Sequence, residues 1–439
     1  MAKLPFRTQL TYGLGGLGIN LCDMVFLQWL FVRYTAQNAT DGSSALVSAS
    51  VIGVVVFLAR VGECFYNIGV GHWSDNFRSP LGRRIPFIRR GLIPLAVVFF
   101  ILFMPPGGLP GAAYGFYVFV FLNLYLFLYA VVVTPYLSLL PEVTSDLHER
   151  VNLTTLQSLF IVVSLIIFSQ MGLLLETLGW VGVATIVSLN TVLALTPCAL
   201  FIREKPARSD EEEVKPRLFE SLALTLKNPA FLCIAVSTSF FWFSLQLILL
   251  MLPFWVMYVL HRDVGDVTWV MVPYLVMSVV SFFFFNVLTK RFGKFPMFLV
   301  TLLGSAVFFV LFCAVGYLPF GSEFVQTIVV SGLVGIPVAG FMVIPFALLS
   351  DAVDYDEQLT GQRREAIFFG LQGVFQKIML GASAFTFSRL LAVGGQDTAT
   401  TTGLKLVAMS AGIGGALAFF AFLVYPLRER DGKVVHKKA

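Results

Sequence analysis

Among the ionisable side chains of this sequence, Asp23, Arg60, Glu63, Lys377 and Arg389 lie inside long apolar stretches rather than between them. A charge at the centre of a bilayer costs at least about 2.5–3.5 kcal/mol on insertion scales, so ionisable groups kept there mark ion paths, solute sites or internal charge pairs. Arg60 and Glu63 are three positions apart and Asn67 is four beyond Glu63, a spacing that puts all of them on one helical face. That polar stripe is the clearest chemistry in the chain. Charge cancellation between Arg60 and Glu63 is its plain structural alternative.

Other chemistries find no support. His72, His148, His261 and His436 fall in connections or the tail, away from any serine or cysteine that a base would activate, so no enzyme is expected. The five cysteines, Cys22, Cys64, Cys198, Cys233 and Cys313, all sit in apolar stretches without metal-ligand spacing, which argues against disulfides, zinc and any cofactor. The net charge of +5 resides largely in short connections, as the positive-inside bias requires, and implies no nucleic-acid partner.

The elements that must position the stripe follow from composition. Of 439 residues, 57% are hydrophobic and 13% charged, against roughly 25% charged in soluble domains. Membrane lipid is therefore the main surrounding of this chain. Apolar runs at about 11–35, 44–71, 89–106, 112–140, 151–176, 178–202, 229–260, 267–289, 296–318, 324–350, 365–394 and 403–427 each suffice to cross a bilayer as a helix. Met1–Leu10 is short and basic and enters the first run without a small-residue cleavage site, so no removable signal peptide is expected. Arginines crowd the second connection (Arg78, Arg83, Arg84, Arg89, Arg90) and bases recur in the eighth and tenth, while the odd-numbered connections carry few. Both termini are then expected in the cytoplasm.

The charged stretch REKPARSDEEEVKPRL, from Arg203 to Leu218, separates two sets of six runs. The expected organisation is a six-helix bundle over 1–202, a linker over 203–228, a second bundle over 229–428 and a tail over 429–439. A Gly-basic turn before a proline recurs in SPLGRRIPF (Ser79–Phe87) and RFGKFPMF (Arg291–Phe298). Its corresponding placement agrees with a parallel repeat of two halves, as in major facilitator carriers.

The stretch DAVDYDEQLTGQRREAIFFGLQGVFQK, from Asp351 to Lys377, closely resembles the tenth loop and eleventh helix of the glycoside-pentoside-hexuronide cation symporters. TYGLGGLG (Thr11–Gly18), Arg60–Arg84 leading into LGRRIP, and TPYLSLLP (Thr134–Pro141) agree with that family too. The resemblance implies an all-α membrane protein of the major facilitator fold, with twelve helices in two pseudo-symmetric halves. It also implies a monomer that moves a small polar solute, a glycoside or uronide, together with H⁺ or Na⁺ by alternating access. Lysolipid transporters are related, and an amphiphile carrier or flippase of the same fold is the alternative function. Short loops and the lack of an organelle-targeting segment point to a bacterial inner membrane.

Carried onto this chain, the resemblance makes Glu63 and Asn67 the cation site, with Asp23 nearby. Sugar-transporting relatives usually have two aspartates where this chain has Glu63 and Asn67. Two anionic ligands offset the dehydration of Na⁺ better than one, whereas a lone buried glutamate can take up a proton and become neutral. The departure favours H⁺. Asn20 and Val133 stand where those relatives carry sugar-binding acids, which counts against a melibiose-like substrate and for the amphiphile alternative. Asn20, Asp23, Arg60, Trp255, Tyr258 and Lys377 are the expected substrate-facing residues, with Lys377 linking the cation and solute sites by competing for Glu63 or Asp23. Asp75, Arg83 and Arg84 resemble the inner gate of the fold, and Asp351, Asp354, Arg363 and Arg364 its counterpart in the second half. Most aromatic residues are expected to pack against helices or lipid.

Overall fold

Backbone groups that find no water in hydrocarbon must bond to one another, so an apolar run that crosses a bilayer closes into a helix. The computed structural model of the chain describes residues 5–36, 45–144, 147–202, 204, 218–361, 364–393, 401–430 and 433–436. Twelve of its helices are long and apolar enough to cross a membrane. They are α1 (Phe6–Thr35), α2 (Ala49–Asn76), α3 (Ile85–Phe103), α4 (Gly111–Ser138), α5 (Leu147–Ser169), α6 (Met171–Phe201), α7 (Pro229–Phe254), α8 (Val267–Phe292), α9 (Lys294–Val310), α10 (Glu323–Thr360), α11 (Glu365–Leu391) and α12 (Thr401–Leu423). Large apolar side chains remain on the outer surface. Phe283 and Phe284 are more than 60% exposed beside a buried Phe285, as suits a helix with one face to the bundle and the rest to lipid.

Several boundaries differ from expectation, each for a local reason. Helix α10 runs to Thr360, ten residues past the expected end, so Asp351 and Asp354 stand on a helix rather than in a loop. It stops where Gly361 takes the left-handed conformation, φ 70°, and its N–H caps the Glu357 carbonyl. Gly179, with φ 64°, interrupts the helical run of α6 close to the expected junction of the fifth and sixth spans. At its C-terminal end α7 passes into a π-helical turn, Trp255–Val259, just after Pro253. The tail is not featureless either: β1 (Leu427–Arg430) and β2 (Lys433–His436) pair antiparallel, with Arg430 opposite Lys433.

The chain forms two compact units, residues 1–211 with Asp263–Thr268, and residues 212–262 with 269–439. In the first unit α1 packs on α5 and α6, α3 on α4 and α6, and α2 on α4. In the second, α7 packs on α11 and α12, and α9 on α10 and α12. There α8 meets α10 where the Ser278 hydroxyl donates to the Gly335 carbonyl at 3.1 Å. The same set of pairings thus recurs, helix for helix. The recurring Gly-basic turns behave alike as well, since Gly82 (φ 99°) and Gly293 (φ 87°) both need the left-handed region open to glycine. After each turn a base reaches an acid near the end of the fourth helix of its own unit: Arg83 to Glu142 at 2.8 Å, and Lys294 to Asp351 at 2.6 Å.

The glycines of TYGLGGLG let α1 approach its neighbours closely, the usual device where helices pack in lipid. A Cβ at Gly16 would lie 2.8 Å from Gln157 of α5, and one at Gly15 would overlap the ring of Tyr136. That ring stacks on Tyr12, centroids 5.0 Å apart, while its hydroxyl donates to the Tyr12 carbonyl at 2.6 Å. Gly15→Ala is expected to cost about 1–3 kcal/mol through this overlap, read as a lower melting temperature of the purified protein. An unchanged melting temperature would show that α1 can back away from α4.

Candidate functional site

Helix α1 presents Asp23, and α2 presents Arg60 and Glu63 one turn apart. The structure brings these three side chains together. The Arg60 Nη1–H donates to Glu63 Oε2 at 2.7 Å, and Nη2 lies 3.4 Å from Asp23 Oδ1. Arg60 and Glu63 are almost wholly buried, whereas the Asp23 side chain is 37% exposed. Beneath the guanidinium lies the Phe26 ring, 5.0 Å to its centroid, a further favourable seat for a cation. The Arg60 Nε is buried without a partner among the described residues. Two carboxylates thus share one guanidinium.

The Arg60–Glu63 contact is the charge-cancelling pairing that the spacing offered as the structural alternative. Arg60 also meets Asp23 of α1, and Lys377 stands half-buried on α11. Asn67 sits a turn further along α2, where its Oδ1 accepts from the Thr134 hydroxyl of α4 at 3.1 Å. Sequence reasoning missed Thr134, although the threonine begins the TPYLSLLP motif. The Asn20 amide donates to the Gly16 carbonyl at 2.8 Å, and Val133 is buried.

In the second unit Trp255 is fully buried, its Nε1–H donating to the Thr327 hydroxyl at 3.2 Å and its ring against Phe312. Packing of this kind leaves it no surface for a solute, which corrects its expected role. Tyr258 is half-buried, stacked near Phe254 with centroids 6.1 Å apart. A polar pair that sequence reasoning missed lies between α11 and α7: the Gln372 amide donates to Thr238, and the Gln372 carbonyl oxygen is buried without a partner among the described residues.

Of the expected gate residues, Asp75, Arg83, Arg84, Asp351 and Arg364 have ion-pair partners within their own unit. Glu142 accepts from Arg83 at 2.8 Å and lies 3.2 Å from Arg84, which also reaches Asp75 at 3.4 Å. Asp351 holds Lys294, and Asp354 is exposed. Arg364 is a correction: it is buried and bound to Asp356 at 2.6 Å. Asn228 also donates to Asp356, at 3.2 Å, while its own Oδ1 caps the start of α7. Arg363 lies outside the described residues.

Glu204, just beyond α6, supplies a cap of another kind. Its carboxylate accepts the backbone N–H groups of Arg83, Arg84 (2.7 Å) and Ile85 (2.6 Å) at the start of α3, where the helix dipole favours an anion. Burial pushes its carboxyl above the ordinary value of 4.5; the three N–H groups oppose the rise, and nearby Glu142 adds to it. A carboxyl raised by folding contributes stability that is fully present below its unfolded value and is lost as pH rises through its folded one. Glu204→Gln cannot ionise. The melting temperature of the wild type relative to this variant is therefore expected to rise as pH falls from about 7 towards 4.5, and a gap that stays constant would contradict this assignment.

Comparison with known proteins places this site in a context. The family described as MFS/sugar transport protein matches residues 11–427. The chain is 28% identical over 430 residues to a glucuronide carrier protein homolog of Escherichia coli, covering 92% of this chain and 84% of that one. A putative 2,3-dihydroxypropane-1-sulfonate exporter of Salmonella typhimurium is 25% identical over 87% of this chain and 83% of its own length. An isoprimeverose transporter of Lactiplantibacillus pentosus is 23% identical over 89% and 81%. Among solved structures, the inward-open xylose transporter XylE from E. coli superposes with a TM-score of 0.66 at 16% identity, covering 98% of this chain and 97% of the other. The nucleoside transporter NupG gives 0.66 at 14%, covering 96% and 99%. These two likenesses establish the major facilitator fold.

Proposed function

The chain belongs to the MFS/sugar transport protein family, membrane carriers rather than enzymes, and from that premise we propose that it couples a flow of H⁺ or Na⁺ to the movement of a small hydroxylated solute, a glycoside or uronide, by alternating access. The observation that carries the coupling is the buried Asp23–Arg60–Glu63 cluster. Glu63 and Asp23 supply anionic oxygens for the cation, and the amide of Asn67 and the hydroxyl of Thr134 lie a turn beyond them on α2 and α4. Asp23, the exposed member, also accepts solute hydroxyls together with Asn20. Such acceptors discriminate strongly, because a solute lacking the matching hydroxyl leaves them unpaired.

Relatives named for a glucuronide, a dihydroxypropane sulfonate and isoprimeverose support a hydroxylated cargo. Two of those cargoes also bear an acidic group. Lys377 of the second unit is the residue to which such a group would be matched by charge. The neutral residues Asn20 and Val133, where sugar-transporting relatives have acids, favour the second reading, an amphiphile carrier.

A solute that binds only the native state raises its stability by mass action. Thermal unfolding of the purified protein with methyl glycosides, glucuronides, sulfonated sugars and lysolipids, each with and without Na⁺ at two pH values, separates the readings. A glycoside or glucuronide that stabilises the protein, more so with Na⁺ or at low pH, supports the symporter. Stabilisation by lysolipids alone would overturn the sugar assignment.

A further inference from the structure

The last turn of α3 is capped by side chains from its neighbours. Tyr117 of α4 donates its hydroxyl to the Ile101 carbonyl at 2.6 Å, Tyr34 of α1 to the Leu102 carbonyl at 2.5 Å, and the Arg33 Nε–H to the Phe103 carbonyl at 2.9 Å. That cap uses a single N–H of the guanidinium and leaves the others to be accounted for. Among the described residues the terminal nitrogens of Arg33 have no partner and no carboxylate pairs with it. Arg60, Arg83, Arg84 and Arg364, by contrast, each have an acid. The Arg33 guanidinium lies instead over the Trp180 ring of α6, 5.4 Å to its centroid, and that ring stacks near the buried Phe103 at 6.1 Å. The Trp180 indole N–H likewise meets no acceptor among the described residues.

We propose that Arg33 and Trp180 seat the headgroup of an anionic phospholipid, at the end of the first unit opposite the N-terminus of α1. Arg33 stands in the last turn of α1, where a span meets the interface, and the connections on that side carry few other bases. Trp180 suits the same depth, with a ring for the apolar layer and an N–H for the headgroups. Leu178 and Val181, which flank it in the chain, are both more than half exposed, so apolar surface for acyl chains adjoins the two donors. A guanidinium fork matches a phosphate bidentately, and the Phe103 carbonyl already fixes its orientation. Its uncompensated charge selects an anionic headgroup over a zwitterionic one. A soluble carboxylate or sulfonate offers similar oxygens but no chains to lie on Leu178 and Val181. Lipid held here ties together the ends of α1, α3 and α6, and it does so whatever ion or solute the carrier moves.

The test follows the melting temperature of the purified protein in mixed micelles as phosphatidylglycerol replaces phosphatidylcholine. What is read is the mole fraction of phosphatidylglycerol that gives half the maximal stabilisation. Arg33→Gln keeps an N–H for the Phe103 carbonyl and removes the charge; it is expected to raise that mole fraction by about tenfold or to abolish the stabilisation. Trp180→Phe keeps a ring beneath the guanidinium and removes the indole N–H, with an expected rise of about threefold. Arg90→Gln makes the same charge change at an exposed base near the opposite end of α3, and is expected to stay within about twofold of the wild type. Equal shifts in Arg33→Gln and Arg90→Gln overturn the proposal, as does a wild type that phosphatidylglycerol stabilises no more than phosphatidylcholine. Should the glutamine variant at Arg33 not fold, an unshifted Trp180→Phe overturns it instead. Stabilisation of the wild type by glucuronate or methanesulfonate in pure phosphatidylcholine, lost in Arg33→Gln and without any response to phosphatidylglycerol, assigns the seat to a soluble acid and also overturns the lipid.

Discussion

Glu63→Gln is expected to yield a carrier that equilibrates its solute across the membrane and no longer concentrates it. The substitution keeps size and shape while removing the innermost negative charge, and Arg60 retains Asp23 as a partner, so the bundle can still assemble. What would disappear, under the coupling proposed above, is the site that holds the cation. Without a membrane potential, a tenfold ion gradient stores about 1.4 kcal/mol and can sustain about tenfold accumulation of a neutral solute moved one to one, and a potential adds to this. Accumulation in energised vesicles should therefore collapse to equality, while counterflow of preloaded solute persists. Retention of full ion-driven accumulation by Glu63→Gln would remove this residue from the coupling mechanism and leave Arg60 and Glu63 as a structural pair.

Arg364→Ala is expected to be the most destabilising single change at the charged end of the second unit. Asp356 and Arg364 are 3% and 6% exposed, and the carboxylate is satisfied by two contacts from the guanidinium, at 2.6 and 3.1 Å, together with the Asn228 amide. Removing one partner of a buried pair leaves the other charge without compensation, at a cost of about 3–5 kcal/mol. Loss also spreads to α7, because Asn228 caps that helix with the same side chain that holds Asp356. Asn228→Ala should cost about 1 kcal/mol, as cap removals do. The double variant Asp356→Asn/Arg364→Gln leaves no unpaired charge and is expected to recover most of the melting temperature lost by Arg364→Ala. A melting temperature for Arg364→Ala equal to that of the wild type would mean that water reaches Asp356 and the pair adds nothing.

The two effects differ in where they are felt. Under the proposed coupling Glu63 acts on the ion, so its substitution should change transport with modest change in stability. Arg364 acts on the joint between α7, α10 and α11 and should change stability first, so its transport defect should scale with the folded protein recovered.

The residues of this chain determined by themselves that it lies in a membrane, that it crosses twelve times, and that Arg60, Glu63 and Asn67 form a polar stripe on one helical face. Each of these depends on local properties: apolar length sets a span, the helical period sets which side chains share a face, and a charge inside an apolar run stands out wherever it occurs. Which side chains meet across helices depends on packing, and only the tertiary structure decided that. It joined Asp23 to Arg60, gave Asn67 to Thr134, and enclosed Trp255 against Thr327 and Phe312. It also gave Arg364 to Asp356, where spacing in a charged segment offered several acids of equal standing and no means to choose among them. Helix ends at Gly361 and Gly179 were likewise open in the sequence, because a glycine takes the left-handed conformation only where the surrounding backbone requires it. Partners separated by tens or hundreds of residues carry no periodic signal; they are selected by the close approach of helices, as of α1 to α5 where the glycines permit it, and by charges that meet across them, as Asp23 of α1 and Arg60 of α2 do.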